Sequence, residues 1–266
     1  MTAAPSIWLV GCGNMGGAML RGWLAHGVHP DSILIIDPVA KNVPDGVRLA
    51  AAPEGPAPDI LVLAIKPQSL AHVALTLAVG PQTIVISILA GVETAVLAQR
   101  LPGARAYVRV MPNMPAAIGQ GISAIFGPDL DADGRAAVER LVAPLGLMQW
   151  VADEDLFHAV TGVSGSGPAF VFRFIDALAA AGVAQGLPED LARLLALQTV
   201  AGSARLALET GRAPADLAEA VRSPNGTTHA GLTVLDASDM AAAVAQTVAA
   251  AAQRSRELAE EARRQS

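Results

Sequence analysis

The stretch IWLVGCGNMGGAML, residues 7–20, constrains the fold of this chain more than any other. Four apolar residues run into Gly11, Gly13 and Gly16 at the spacing G-x-G-x-x-G, and a helix-like segment follows at once. Strand, glycine turn and helix in that order suit a bound dinucleotide. The first glycine permits the tight turn, the second lets the backbone approach a pyrophosphate, and the third lets the helix pack against the strand. The helix start, where Asn14 and Met15 stand, would offer unpaired N–H groups to the phosphates. A glycine-rich turn of purely structural use is the plainer alternative, and Cys12 is expected to pack locally.

The pattern around this turn extends the reading. Apolar runs at 7–10, 33–37, 60–65, 83–88, 106–110, 122–126 and 148–151 read as strands, with helix-like stretches at 15–26, 68–79, 94–100 and 132–145. Short, nearly all-apolar strands suit a sheet covered on both faces. Their alternation with helices predicts an α/β fold, a Rossmann-type doubly wound and mostly parallel sheet. After about Ala152 the strand signal ends. Helices are expected at 155–163, 168–185, 188–210, 214–222, 227–235 and 238–264, with Pro168, Pro188 and Pro214 near first turns and Gly186 and Gly211 at stops. The expected division is therefore a dinucleotide-binding domain over 1–152 and an all-helical domain over 153–266.

Composition narrows the partners. The chain is 52% hydrophobic and 16% charged with few aromatics, which implies extensive burial by small apolar side chains and a subunit interface. A net charge of −6 without a basic cluster makes nucleic acid an unexpected partner. The single cysteine, Cys12, excludes an intrachain disulfide and any multi-cysteine metal site. The amino terminus carries no basic segment ahead of its first strand, so no signal peptide is expected. Gly, Pro or charge breaks the apolar runs, so no membrane span is expected either, and the location expected is the cytoplasm.

Other candidates fall where strands end. Asp37 closes the second strand, where a carboxylate would accept hydrogen bonds from the adenine ribose of NAD and repel a 2′-phosphate. A solvated turn residue before Pro38 is the alternative, and Lys41 nearby complicates the choice. The segment LAIKPQ puts Ala64, Lys66 and Pro67 at the carboxyl edge of the sheet, where ligands bind. Asn113 lies between two prolines that stiffen its loop, which suits the nicotinamide end of a cofactor.

The chemical inventory is short. Lys41 and Lys66 are the only lysines, so the helical domain has no lysine to shuttle a proton. His158 and His229 are its only histidines, and packing roles suit both. The polar passage VRSPNGTTHAGL, residues 221–232, stands out among alanine-rich helices because its residues disfavour helix interiors. Ser223 and Pro224 end one helix, Asn225 and Gly226 turn, and Thr227 starts the next. Such a helix start suits a carboxylate, although a plain capped helix is the simpler account. A threonine hydroxyl is too weak an acid to protonate an ordinary ketone efficiently, but it can hydrogen-bond an imine nitrogen. The inventory therefore suits reduction of a C=N bond.

These segments resemble the Δ1-pyrroline-5-carboxylate reductase family. The passages VRSPNGTTHAGLTVLD and HAVTGVSGSGPAF are similar to its signatures, and GCGNMGGAM, LAIKPQ, VRVMPNMPAAIGQG and GLPEDLARLLALQT fit in the expected order. The resemblance runs from about Ile7 to Asp236. It implies a Rossmann domain followed by a helical dimerisation domain, and hydride transfer from NADPH or NADH to pyrroline-5-carboxylate. Thr228 would hydrogen-bond the imine nitrogen and donate the proton. Ser223 and the backbone of Gly226 and Thr227 would hold the carboxylate. Ser166, within Ser164–Ala169, would help pack substrate and nicotinamide. Lys66 and Asn113 would touch the cofactor. Homodimers are implied, commonly gathered into decamers. Asp37 stands where the family often has small or basic residues, which implies acceptance of NADH. A reductase of another cyclic imine and a non-catalytic nucleotide-binding protein are the alternatives.

Overall fold

The computed structural model describes residues 5–40 and 43–264. By compactness the chain forms two units. The first runs to Ser166 and takes up the chain again from Val248; the second is Gly167–Thr247. The strand signal does end near residue 152, but the compact units part fourteen residues later, and the last helix returns to the first unit.

The first unit is built on one eight-stranded sheet among the described residues. Its elements are β1 (Ile7–Val10), α1 (Asn14–Ala25), β2 (Ile33–Ile36), β3 (Arg48–Ala50), β4 (Ile60–Leu63), α2 (Leu70–Ala74), β5 (Ile84–Ser87), α3 (Thr94–Arg100), β6 (Ala106–Met111), β7 (Gly121–Phe126), α4 (Ala132–Val142), β8 (Gly146–Trp150) and α5 (Leu156–Val160). The order is β3-β2-β1-β4-β5-β6-β7-β8, and only the β6–β7 pairing is antiparallel. The expected α/β fold with a mostly parallel sheet is what forms. Strand β3 escaped the sequence reading because its pattern is short and two of its three residues are exposed.

Strands β1, β2, β4 and β5 are buried along their whole length. Successive side chains go to opposite faces, so each strand feeds two cores. Ile7, Leu9, Ile33, Ile35, Ile60 and Val62 pack with Met19, Leu20 and Trp23 of α1 and Val138 and Leu141 of α4. Trp8, Val10, Leu34, Ile36, Leu61 and Leu63 pack with Leu70 of α2 and Val96 and Leu97 of α3. The Trp23 indole, fully buried, donates to the Leu141 carbonyl at 2.7 Å, which satisfies its one polar group.

The second unit holds α6 (Gly167–Ala184), α7 (Glu189–Thr210), α8 (Pro214–Ala220), α9 (Thr227–Asp236) and the start of α10 (Met240–Arg264). In the isolated chain α6, α8 and α9 bury none of their residues, and α7 buries only Ala192 and Ala196. Phe172 is 53% exposed and Leu208 74%. Two helical stretches, Leu156–Ala184 and Glu189–Thr210, are long and apolar enough to cross a membrane by length and composition. No such run was expected, since Gly, Pro or charge breaks the apolar stretches, the glycines and proline of 162–168 among them. The chain instead carries through them as a π-helical turn, Thr161–Gly165, continuous with α5.

The carboxyl-terminal part of α10 belongs to the first unit. Ala252, Ser255 and Ala259, spaced as one helix face, are its buried residues. Ser255 meets His158 at 3.0 Å and Arg263 donates to Glu93 at 2.8 Å.

Candidate functional site

The sheet changes direction of winding at β1, which has β2 on one side and β4 on the other. The pairings Val10–Ile36 and Val10–Leu63 bring three carboxyl ends level at this point, where α/β sheets bind ligands. Gly11 leaves β1 with φ +92° and donates to the Ile36 carbonyl at 3.0 Å. A Cβ on Gly11 would stand 2.7 Å from the Ala64 carbonyl oxygen, and one on Gly16 would collide with the Gly11 carbonyl oxygen. Gly13 differs, since a Cβ there would meet nothing within 4 Å. Packing thus accounts for two of the glycines, and the third keeps space open beside the helix start. No side chain caps the first turn of α1 and no acidic residue occupies it, so its N–H groups suit a pyrophosphate.

Asp37 sits one residue beyond β2. Its Oδ2 accepts from the Cys12 N–H at 2.8 Å and its Oδ1 from the Val39 N–H at 2.9 Å. The carboxylate therefore braces the glycine turn from the side. Burial and the Asp37 charge both push the Cys12 thiol up, which suits a packing residue and not a reactive thiolate. Lys41 lies outside the described residues.

Two cavities flank this edge. One, about 360 Å³, is lined by Gly11, Asp37, Val39, Ile65, Ser69 and His72 and has the size for an adenosine. The other, about 680 Å³, is lined by Cys12, Gly13, Asn14, Met15, Arg21, Pro44, Asn113 and Gly165. Asn113 thus shares a wall with the glycine turn, and its side-chain oxygen accepts from the Ile122 N–H at 3.0 Å. Ala64 and Lys66 lie at the expected edge but line neither cavity, and Pro67 borders a separate one of about 40 Å³. His72, Arg21 and Pro44 were missed from sequence. The place of Arg21 was readable from its spacing, two turns beyond Asn14 on one helix face.

Ser166 closes the π-helical turn, where its N–H donates to the Thr161 carbonyl at 2.8 Å. The Ser164 hydroxyl is spent on the Val160 carbonyl. His158 is buried, and burial first, then Arg109 and Arg256, hold its pKa below the ordinary 6.5.

In the second unit, the turn at 221–226 delivers Thr227 and Thr228 to the first two positions of α9. Asn225 adopts φ +60°, a left-handed conformation that Asn tolerates better than most residues. Gly226 donates to the Ser223 carbonyl at 3.0 Å, and a Cβ there would collide with the Ser223 hydroxyl. Glycine is what lets Ser223 Oγ fold over the helix start. No side chain caps α9 and its first turn holds no acidic residue. Arg222 secures the turn by donating to Asp236 at the far end of the helix, at 2.7 Å. The His229 carbonyl accepts from the Thr233 hydroxyl at 2.9 Å.

An open, mostly parallel sheet with this glycine turn at its switch point defines a Rossmann-type dinucleotide-binding fold. The chain is 38% identical over 269 residues to the pyrroline-5-carboxylate reductase of Pseudomonas aeruginosa, covering 97% of this chain and 98% of that one. The chain belongs to the pyrroline-5-carboxylate reductase family. The family profile described as pyrroline-5-carboxylate reductase dimerisation matches residues 154–258, and that of the coenzyme F420-dependent NADP oxidoreductases matches 6–91. With the pyrroline-5-carboxylate reductase of Pisum sativum the chain is 43% identical over 176 residues, which span 66% of this chain and 64% of the pea protein. Among solved structures, a pyrroline-5-carboxylate reductase from Coxiella burnetii superposes with a TM-score of 0.85 at 30% identity, covering 96% of this chain and 99% of that one. The Plasmodium falciparum pyrroline carboxylate reductase with NADP bound gives 0.84 at 26% identity, covering 96% and 98%. The matched dimerisation profile includes α6 and α7, the helices whose apolar residues lie exposed in the single chain.

Proposed function

We propose that this chain reduces the C=N bond of Δ1-pyrroline-5-carboxylate to give L-proline, using a reduced nicotinamide dinucleotide. The observation that carries the reading is the Ser223–Thr228 turn at the uncapped start of α9, in a chain of this family. Bound in the first unit, the reduced cofactor supplies the hydride. The residues assigned to hold it are Gly11, Gly13, Asn14, Met15 and Gly16 for the pyrophosphate, Asp37 for the adenine ribose, and Ala64, Lys66, Pro67 and Asn113 along the sheet edge.

In the second unit the Thr227 N–H and the Ser223 hydroxyl hold the substrate carboxylate against the positive end of α9, and the Gly226 backbone, its own N–H bonded to the Ser223 carbonyl, shapes the turn that receives it. Thr228 Oγ1 hydrogen-bonds the ring nitrogen and delivers the proton there. As hydride reaches the ring carbon the imine nitrogen becomes basic, so a neutral hydroxyl can hand over its proton and regain one from water. Ser166 helps order the substrate.

Functionally the division falls at residues 1–152 for the cofactor and 153–266 for substrate and assembly. NADPH or NADH serves as the cofactor, with Asp37 allowing NADH to be accepted. The chain works as a homodimer through the helical domain, with decamers built from the dimers, in the cytoplasm and apart from nucleic acid and membranes. The deciding experiment is steady-state kinetics on pyrroline-5-carboxylate with each cofactor in turn. Failure to oxidise either one in the presence of substrate would falsify the reading.

A further inference from the structure

We infer that His72 is a binding residue for the cofactor, an imidazole whose ring stacks on the adenine base of the bound dinucleotide. The inference rests on reading the first unit as a nicotinamide dinucleotide site.

The position of His72 follows from the helix that carries it. Leu70 and Ala74 of α2 are buried in the core, which fixes the rotation of the helix. Ser69, His72, Val73 and Thr76, spaced as i, i+3, i+4 and i+7, then share another face. All four line the cavity of about 360 Å³ that also holds Asp37. In the sheet, β2 and β3 lie on one side of β1 and β4 on the other. Val39, which follows β2, and His72, on the helix that follows β4, therefore reach the end of β1 from opposite sides.

The chemistry of the walls points the same way. Asp37 Oδ1 holds the Val39 N–H at 2.9 Å, so the carboxylate assigned to the ribose also sets the place of this valine. The Val39 side chain is 78% exposed in the isolated chain, an aliphatic wall with nothing packed on it. The polar side chains lining the cavity are those of Asp37, Ser69, His72 and Thr76. The Thr76 hydroxyl donates to the Val73 carbonyl at 2.8 Å, and Ser69 is too small to cover a base. His72 alone among the described lining residues carries an aromatic ring. A ribose held at Asp37 leaves its base in this same cavity, with an aliphatic wall on one side and the imidazole on the other. A purine has two π faces to cover, and a flat ring covers one of them well.

The test compares His72→Ala, His72→Phe and His72→Gln with the parent full-length chain on pyrroline-5-carboxylate. It reads kcat and cofactor KM with NADH, with NADPH and with reduced nicotinamide hypoxanthine dinucleotide, which lacks the 6-amino group. We expect His72→Ala to raise KM about tenfold with all three, the cost of one lost base stack, the effect falling on KM and not on kcat. His72→Phe keeps a flat ring and should restore most of the loss, whereas His72→Gln should not. A loss confined to NADPH would make His72 a 2′-phosphate contact and overturn the assignment. A loss missing with the hypoxanthine cofactor, or rescued by Gln and not by Phe, would make it a hydrogen-bond partner of the base edge and overturn it too. So would an unaltered KM, or a fall in kcat alone. A parent protein that oxidises none of the three in the presence of substrate would instead overturn the proposed function itself.

Discussion

Arg109 on β6 and Glu154 just before α5 form a pair in the interior of the first unit. Arg109 is 1% exposed, its Nη1 donates to Glu154 Oε1 at 3.3 Å, and its guanidinium lies 4.5 Å from the Phe157 ring centroid. Glu154 closes the network by accepting from the Thr94 N–H and hydroxyl at 2.9 and 2.7 Å. Burial disfavours the charge on Arg109, and the Glu154 carboxylate opposes that push. Nη2 of Arg109 is buried without a partner among the described residues, so the pair has no spare satisfaction. Glu154→Ala should therefore destabilise the fold by about 3–5 kcal/mol, the usual cost of stranding a buried charge. Urea unfolding at fixed protomer concentration measures this. A loss below about 1 kcal/mol, the range of an exposed pair, would show that the pair holds little.

Asp37 braces the glycine turn and faces the smaller cavity. Asp37→Ser removes a charge that repels a 2′-phosphate, so the NADPH-to-NADH ratio of kcat/KM should rise about tenfold, as one nearby charge in a partly screened site would give. A ratio that stays put would mean that the carboxylate serves only the turn.

Thr228 is the proposed proton donor. Thr228→Val keeps the shape and loses the hydroxyl, so kcat should drop by about one to two powers of ten for a single transition-state hydrogen bond. Thr228→Ser should retain most of it. Saturating kinetics on both variants decide the matter, and full activity in the valine variant removes Thr228 from the chemistry.

His158 makes stability depend on pH. Its folded pKa lies below the ordinary 6.5, chiefly through burial. The unfolded chain therefore binds the proton first, and the stability tied to neutral His158 is lost as pH falls from about 6.5 through the folded value. Melting curves at about pH 7.5 and pH 5.5 should show a larger drop for the parent than for His158→Gln. Equal drops would place the acid sensitivity elsewhere.

The features legible in the sequence were those whose cause is local. The run of apolar strands, the glycine spacing and the helix stops at Gly186 and Gly211, both at positive φ, depend on neighbours a few residues away. So does the 221–226 turn. What escaped depends on distant partners. Arg109 and Glu154 lie 45 residues apart, and nothing in either neighbourhood announces the pair. The return of α10 to the first unit rests on Ser255 meeting His158 across 97 residues. The π-helical turn at Thr161–Gly165 was hidden because its glycines look like a break, while its backbone carries the helix on.

The uncovered faces of α6 and α7 bear on the life of a newly made copy. With Phe172 and Leu208 facing water, one chain by itself is unfinished, and association supplies what its own interior lacks. An oligomer that buries such faces draws part of its stability from association, so concentration counts as a reagent. For such an assembly, dilution weakens the helical unit first.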